Sequence, residues 1–214
     1  MLEIVIQGRG GQGAQTAGNL LAATFFAAGR HVQSFATYGG ARRGTPVSSF
    51  IRVDDAPVRV RCDIERADAI LCFDATLLEG RLLAIADART LIVVNSGRDG
   101  ADFARALPGY RVLPIDAIAI SRRTGLGRIV NSALLGAFAR ALGDPPLEAL
   151  RQTIRERSPR LADENLAACA AGYAAAQALA ADDGAAAALQ DDAARMAAPR
   201  ANPLQRASTQ KGAQ

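Results

Sequence analysis

Histidine, lysine, cysteine and tryptophan are scarce or missing in this chain of 214 residues, and each shortage removes a class of chemistry. His31 is the only histidine. Chemistry that needs a His triad or a multi-histidine metal site is therefore excluded within this chain, and His31, at the start of an apolar stretch, reads as structural. The three cysteines, Cys62, Cys72 and Cys169, lie far apart. Without a Cys-x-x-Cys pair there is no iron–sulfur or zinc spacing, so no metal site is expected. An odd cysteine count with no signal peptide points to a reducing cytoplasm. Cys62 and Cys72 read as buried small hydrophobes rather than nucleophiles. Lys211 is the only lysine, so arginine carries nearly all the positive charge. A net charge of +4 is too modest to indicate nucleic acid, and none of the usual nucleic-acid motifs is present. The apolar runs are too short, or too interrupted by arginine, to span a membrane.

Half of the residues are apolar, enough for one packed domain and an appendage. Residues 2–7, "LEIVIQ", read as a short buried strand. A glycine-rich turn follows, then a helical pattern over 14–29 and a second strand over 31–37, which together form a βαβ opening. "VSSFIRV" (47–53) and "VRVRC" (58–62), joined by "DDAP", read as an antiparallel hairpin. Residues 69–74 and 90–96 are continuous apolar runs of the kind found in buried parallel strands, and 111–116 is a weaker one. Helical patterns then cover 117–122, 131–142, 146–156 and 160–181. The expected fold is α/β, a three-layer Rossmann-like domain with a mainly parallel sheet, an antiparallel hairpin and a helical C-terminal part. The domain is expected to span 1–181. Residues 182–214 form an Ala-rich extension expected to be partly helical or disordered. In such sheets ligands sit at the carboxyl ends of the strands, here the loops 8–13, 37–46, 74–76 and 95–99.

Gly8, Gly10 and Gly13 satisfy G-x-G-x-x-G, after a strand and before a helix. Glycines there let a backbone approach a phosphate, and the free N–H groups of the helix start face the anion. A dinucleotide site also needs an acidic residue about twenty positions on, to hold the ribose. None occurs between Glu3 and Asp54, and no Lys-Ser/Thr follows the loop, so NAD, FAD and a Walker A site are all disfavoured. The acid-free stretch carries Arg9, Arg30, Arg42, Arg43 and Arg52 with no acid among them. Arg42 and Arg43, in a glycine-rich loop at the ligand edge, suit a phosphate-bearing partner or a carboxylate surface on another subunit. The alternative is that both are solvated or pair with Asp54, Asp55 or Asp74. Asn131 reads either as a helix N-cap or as a site residue. Asp74 reads as a loop-orienting residue.

Five ordered segments carry a family resemblance. "GRGGQGAQTAGNLLA" resembles the G-x-G-G-Q-G opening of the gamma subunit, or gamma domain, of 2-oxoacid:acceptor oxidoreductases. "SFATYGGARRGTPVSSFIRVDDAPV", "RADAILCFDATLL", "VNSALLGAFARAL" and "NLAACAAGYAAA" are similar to that family's later segments, and the resemblance covers about residues 2–180. Arg9 stands where the family commonly has a small residue, and Arg43-Gly44-Thr45 where it often has Arg-Gly-Gly. The resemblance implies a subunit of a complex that oxidatively decarboxylates a 2-oxoacid, pyruvate, branched-chain, indolyl or aryl such as phenylglyoxylate, to an acyl-CoA. Thiamine diphosphate with Mg, 4Fe-4S clusters and any FAD would belong to the alpha, beta, ferredoxin-like or flavin partners. None is expected in this chain, and the acceptor would be an iron–sulfur protein or NAD. The gamma component would contribute docking and the coenzyme A side, with no catalytic residue of its own. The residues implied are Gly8, Gly10, Gly11, Gln12, Gly13, Tyr38, Arg42, Arg43, Gly44, Thr45, Asn95 and Asn131. Two other readings stay open: a freestanding nucleotide-binding protein, and a purely structural assembly subunit.

Overall fold

The computed structural model describes residues 1–39 and 44–197, with side chains through Ala181. Its strands are β1 (Leu2–Arg9), β2 (His31–Tyr38), β3 (Pro46–Asp54), β4 (Ala69–Cys72), β5 (Leu91–Asn95) and β6 (Arg111–Ile115). They form one six-stranded sheet in the order β2-β3-β1-β4-β5-β6. β1, β4, β5 and β6 pair in parallel, and β3 runs antiparallel to both of its neighbours. β2 therefore points the same way as β1, with β3 inserted between them. The opening is thus a βαβ unit whose two strands do not touch.

This corrects the expected hairpin. The strand over 47–53 forms, but its hairpin partner is β2, and β1 takes its other edge. With both edges of β3 filled, residues 58–62 cannot pair with it, and they form no strand. That segment is held by side chains instead: Gln33 Nε2 donates to the Val60 carbonyl at 2.7 Å, and Arg52 Nη2 to that of Asp63 at 3.1 Å. Arg52 is only 1% exposed, and its charge is met by Glu3 Oε1 at 2.7 Å and Gln33 Oε1 at 3.0 Å. Removing Glu3 would strand a buried cation, which costs about 3–5 kcal/mol in comparable pairs.

Helices cover both faces. α1 (Ala14–Ala27) packs on β1, β2 and β3, and α5 (Asn131–Leu142) on β4 and β5. On the opposite face Val5, Phe50, Ile70, Cys72, Ile92 and Val94 meet a 3-10 turn (Ala75–Leu77), α2 (Gly80–Ala84) and α3 (Gly100–Ala106). Strand alternation makes this division possible, because successive side chains leave opposite faces. α1 lies close on the sheet because Gly18 has no side chain; a Cβ there would overlap Ser49. α4 (Ala117–Arg123) and α6 (Leu147–Arg157) pack on α5, and α6 also on α1. α7 (Ala162–Ala197) follows. Met1–Ala178 forms one compact unit, and Leu179–Gln214 a second, whose described part is helical.

Candidate functional site

Every strand but β3 ends at the same edge of the sheet, and that edge gathers the loops after β1, β2, β4, β5 and β6. The glycine loop is shaped by its own residues. Gly11 and Gly13 have φ of 93° and 91°, a left-handed backbone that glycine adopts without strain. Gly8 is present for packing, since a Cβ there would stand 3.0 Å from that of Phe73. Gln12 folds back: its Oε1 accepts from the Arg9 backbone N–H at 2.6 Å, and its Nε2 faces Asp74 Oδ2 at 3.5 Å.

Arg9 joins three loops. Its Nε donates to Asp74 Oδ2 at 2.8 Å, its Nη2 to Thr76 Oγ1 at 2.8 Å and its Nη1 to the Gly44 carbonyl at 3.3 Å. The Gly10 N–H adds a bond to the Thr45 carbonyl at 2.9 Å. Asp74 is the centre of this knot. Its Oδ1 also accepts from the Thr76 backbone N–H at 3.0 Å and from the Thr76 hydroxyl at 2.6 Å. Partial burial pushes the Asp74 carboxyl up, but the bonds from Thr76 and Arg9 outweigh it and hold the group below the ordinary carboxylate range. Asp74 thus orients a loop. Among the described arginines of the acid-free stretch the lack of opposing charge does not persist in three dimensions. Arg9 meets Asp74, Arg30 meets Asp55 and Asp144, and Arg52 meets Glu3, because the acids come from distant parts of the chain. Arg42 and Arg43 lie outside the described residues.

Two hollows flank the glycine loop. A groove of about 360 Å³ runs along Arg9, Gly10, Thr16, Tyr38 and Thr45. Tyr38 is 57% exposed there. A larger cleft of about 620 Å³ opens between the glycine loop and α4–α5. Gly11 and Gly13 border both hollows. The cleft brings together Gln12, Asn95 and Asn131 from the expected set. Gly44 lies beside the Arg9 guanidinium.

Asn95 is engaged at both ends, with Nδ2 donating to the Phe73 carbonyl and Oδ1 accepting from the Ala117 N–H, each at 3.2 Å. It ties β5 to the ends of β4 and the start of α4. Asn131 is not a cap. It is the first residue of α5, after Val130, and its amide stands over Gly13, where a Cβ would lie 2.5 Å from Nδ2. Its side chain forms no hydrogen bond among the described residues. His31 is exposed at the start of β2.

The sequence reading missed Arg122, Arg128, Phe73, Ile118 and Ile129, which also line the cleft. The strand-end rule points to Phe73, directly after β4, and to Ile118, three residues beyond β6; Arg122, Arg128 and Ile129 lie at the end of α4 or past it, and only the fold brings them to the cleft. Cys62 is a correction: it is exposed, in the segment that failed to form a strand. Cys72 and Cys169 are buried, and burial pushes both thiols up to about 12. Among the described residues no group of His, Cys, Asp or Glu could hold a metal ion, and no helix is long and apolar enough to cross a membrane.

The family model described as pyruvate ferredoxin/flavodoxin oxidoreductase matches residues 3–175. The chain belongs to this family. It is 36% identical over 175 residues to the pyruvate synthase subunit PorC of Methanocaldococcus jannaschii, spanning 81% of this chain and 96% of that one. It is 38% identical over 160 residues to the pyruvate/ketoisovalerate oxidoreductases common subunit gamma of Thermococcus kodakarensis, over 73% and 86% of the two chains. The crystal structure of pyruvate oxidoreductase subunit PORC from Thermotoga maritima superposes with a TM-score of 0.71 at 31% identity, over 80% of this chain and 94% of that one. The fold also recurs in a larger chain, the 2-oxoglutarate:ferredoxin oxidoreductase from Magnetococcus marinus, with a TM-score of 0.70 at 22% identity. There it covers 83% of this chain and 31% of that one.

Two of the segments that carry the family resemblance turn out to be packing devices. A Cβ on Gly136 would overlap the Cys169 carbonyl, and one on Gly172 would overlap that of Ala133. These paired glycines let α5 and α7 cross in backbone contact. Asn165 locks the crossing: its Oδ1 accepts from Ser132 Oγ at 2.6 Å, and its Nδ2 donates to the carbonyls of Leu161 and Arg160 at 2.8 and 3.2 Å. In this member of the oxidoreductase family the crossing fixes the start of α5, and with it Asn131, at the cleft.

Proposed function

We propose that this chain is the gamma component of a complex that oxidatively decarboxylates a 2-oxoacid to an acyl-CoA, and that it supplies docking and the coenzyme A side of the assembly. Thiamine diphosphate, Mg, 4Fe-4S clusters and any FAD reside in the alpha, beta, ferredoxin-like or flavin partners. The acceptor is an iron–sulfur protein or NAD, and the complex is cytoplasmic. Family membership over most of the chain supports the role, as does the likeness to relatives named as PorC or gamma subunits of such oxidoreductases. The recurrence of the fold in the Magnetococcus 2-oxoglutarate:ferredoxin oxidoreductase chain, whose structure holds 2-oxoglutarate, coenzyme A and succinyl-CoA, is in keeping with the reading.

One observation carries the assignment of the coenzyme A side: the strand-end edge is open, rich in glycine and bordered by two hollows. Gly10, Gly11 and Gly13 allow close backbone approach, Tyr38 and Thr45 border the smaller groove, and Asn95 and Asn131 the larger cleft. Coenzyme A fits this edge in chemistry, offering phosphates to backbone N–H groups and arginines and an apolar arm to the exposed rims. In this reading the chain's own residues bind and orient, and bond making and breaking belong to the partner subunits. Gly8 and Gln12 shape the loop, and the loop of Arg42, Arg43 and Gly44 adds cations for phosphate or for a partner's carboxylates.

The test is the assembled complex carrying Arg42→Ala and Arg43→Ala. The expected result is a raised KM for coenzyme A or failed assembly. Unchanged kinetics and unchanged assembly would overturn the role given to this loop.

A further inference from the structure

We propose that the outer edge of β2 is a docking site for an extended acidic segment of a partner protein, which adds to the sheet as a further strand and pairs its carboxylates with Arg59 and Arg61. The inference does not rest on the coenzyme A reading, because this edge runs along the side of the sheet and not across its strand ends.

The sheet has two outer strands, and only one of them is blocked. β6 has five residues, begins with Arg111 and contains Pro114, which has no N–H to offer a neighbour. β2 has eight residues, HVQSFATY, and holds no proline, lysine, arginine or acid. It pairs with β3 at every residue from His31 to Tyr38, so no bulge turns it aside. Prolines, charges and bulges are the usual means of keeping an edge from accepting another strand. Among the described residues nothing bonds to the outward N–H and carbonyl groups of β2. Every other strand has buried residues and β2 has none, although α1 packs on one of its faces.

The surroundings of the edge specify the occupant. On the face away from α1, Phe35 stacks on Phe50 with ring centroids 5.0 Å apart. Gln33, Phe35, Arg61 and Asp63 line a hollow of about 260 Å³, suited to an alternate side chain of an added strand. The segment after β3 hangs beside it, held where Gln33 Nε2 donates to the Val60 carbonyl at 2.7 Å. Residues 59–63 are exposed throughout, and among the described residues no backbone N–H from Val58 to Arg66 has a partner. Arg59 and Arg61 have no acidic or hydrogen-bonding partner among the described residues either. The nearby acids are engaged: Asp55 with Arg30 at 2.8 Å, Asp63 with Arg81 at 3.3 Å, and Asp54 with the N–H groups of Asp55 and Ala56. Glu65 alone is left over, against two arginines. This charge balance favours an acidic strand. A second copy of the chain would offer only another uncharged strand with the same arginines beside it.

The experiment follows amide hydrogen exchange in the full-length chain, alone and with either of two synthetic peptides as long as β2. One alternates glutamate with valine, the other lysine with valine. The inference expects the glutamate peptide to slow exchange at alternate residues of β2 by about tenfold or more, less so at high salt. The lysine peptide should leave exchange unchanged. In Arg59→Glu/Arg61→Glu the preference should reverse, and Arg155→Glu, on exposed α6 surface, should behave as wild type. Circular dichroism checks the fold of each variant; if the double variant does not fold, the two peptides on wild type still decide. No protection of β2 by the glutamate peptide, equal protection by both peptides, protection confined to the strand-end loops, or an unchanged preference in the folded double variant overturns the inference. So does protection of β2 that rises with protein concentration without peptide, which would give the edge to a second copy. The coenzyme A reading is untouched by these results and fails separately, in the complex carrying Arg42→Ala and Arg43→Ala.

Discussion

At the scale of single residues, the glycine loop separates two kinds of glycine that look alike in sequence. Gly11 and Gly13 share a left-handed backbone, but a Cβ on Gly11 would meet open space, and one on Gly13 would strike Asn131. Gly11→Ala should cost about 1–2 kcal/mol in backbone strain and still fold. Its larger effect should be on ligand binding, since the added methyl stands on the proposed ligand edge. Gly13→Ala should lose both stability and the cleft. Thermal melts paired with coenzyme A or ADP titrations check the distinction, and equal behaviour of the two variants would contradict it. Asp74 has a pH signature. Its folded pKa lies below the ordinary value, so its stabilisation is in full force above the unfolded carboxylate range, about pH 4, and is lost as pH falls through the lower folded value. Asp74→Asn should therefore lower the Tm at neutral pH and make its fall below pH 4 shallower; a parallel curve would contradict the Arg9–Asp74–Thr76 knot. The thiols offer a third check. Cys62 should react with a thiol reagent in the native protein, while Cys72 and Cys169 wait for unfolding.

At the scale of elements, α5 and α7 are joined through missing side chains. Gly136→Ala or Gly172→Ala would drive a methyl into the backbone of the other helix, and overpacking of this kind costs about 1–3 kcal/mol or more. A chemical denaturation series should show either variant well below Gly100→Ala in stability, since Gly100 opens α3 with an ordinary backbone and its Cβ would meet nothing. These elements also show what was legible in the sequence. Strand apolarity and helical period located β1, β4, β5 and α5 to within a residue or two, because each is buried on a regular face. α2 and α3, of five and seven residues, passed unnoticed. The hairpin was assigned to the wrong pair because "VRVRC" alternates like a strand, and only the occupied edges of β3 exclude it. The same limit applied to the site. Gly11, Gly13 and Asn131 were visible as motif residues, but Arg122 and Arg128 carry no motif. Only the fold brings them to the cleft.

At the scale of the whole molecule, the sheet edge, the two hollows and the α5–α7 crossing all lie within Met1–Ala178. We propose that the functional domain is 1–181 and that the extension 182–214 is not needed for it. A chain ended after residue 181 should keep its Tm, its ligand binding and its place in the complex. The central claim is that this protein works as one component of a larger oxidoreductase. The measurement that tests it most directly is purification of the mildly tagged full-length chain from its native host, with identification of what accompanies it. The account predicts co-purified subunits carrying thiamine diphosphate and iron–sulfur chromophores, and 2-oxoacid- and coenzyme A-dependent reduction of an electron acceptor. A stable, colourless chain that emerges alone would contradict it.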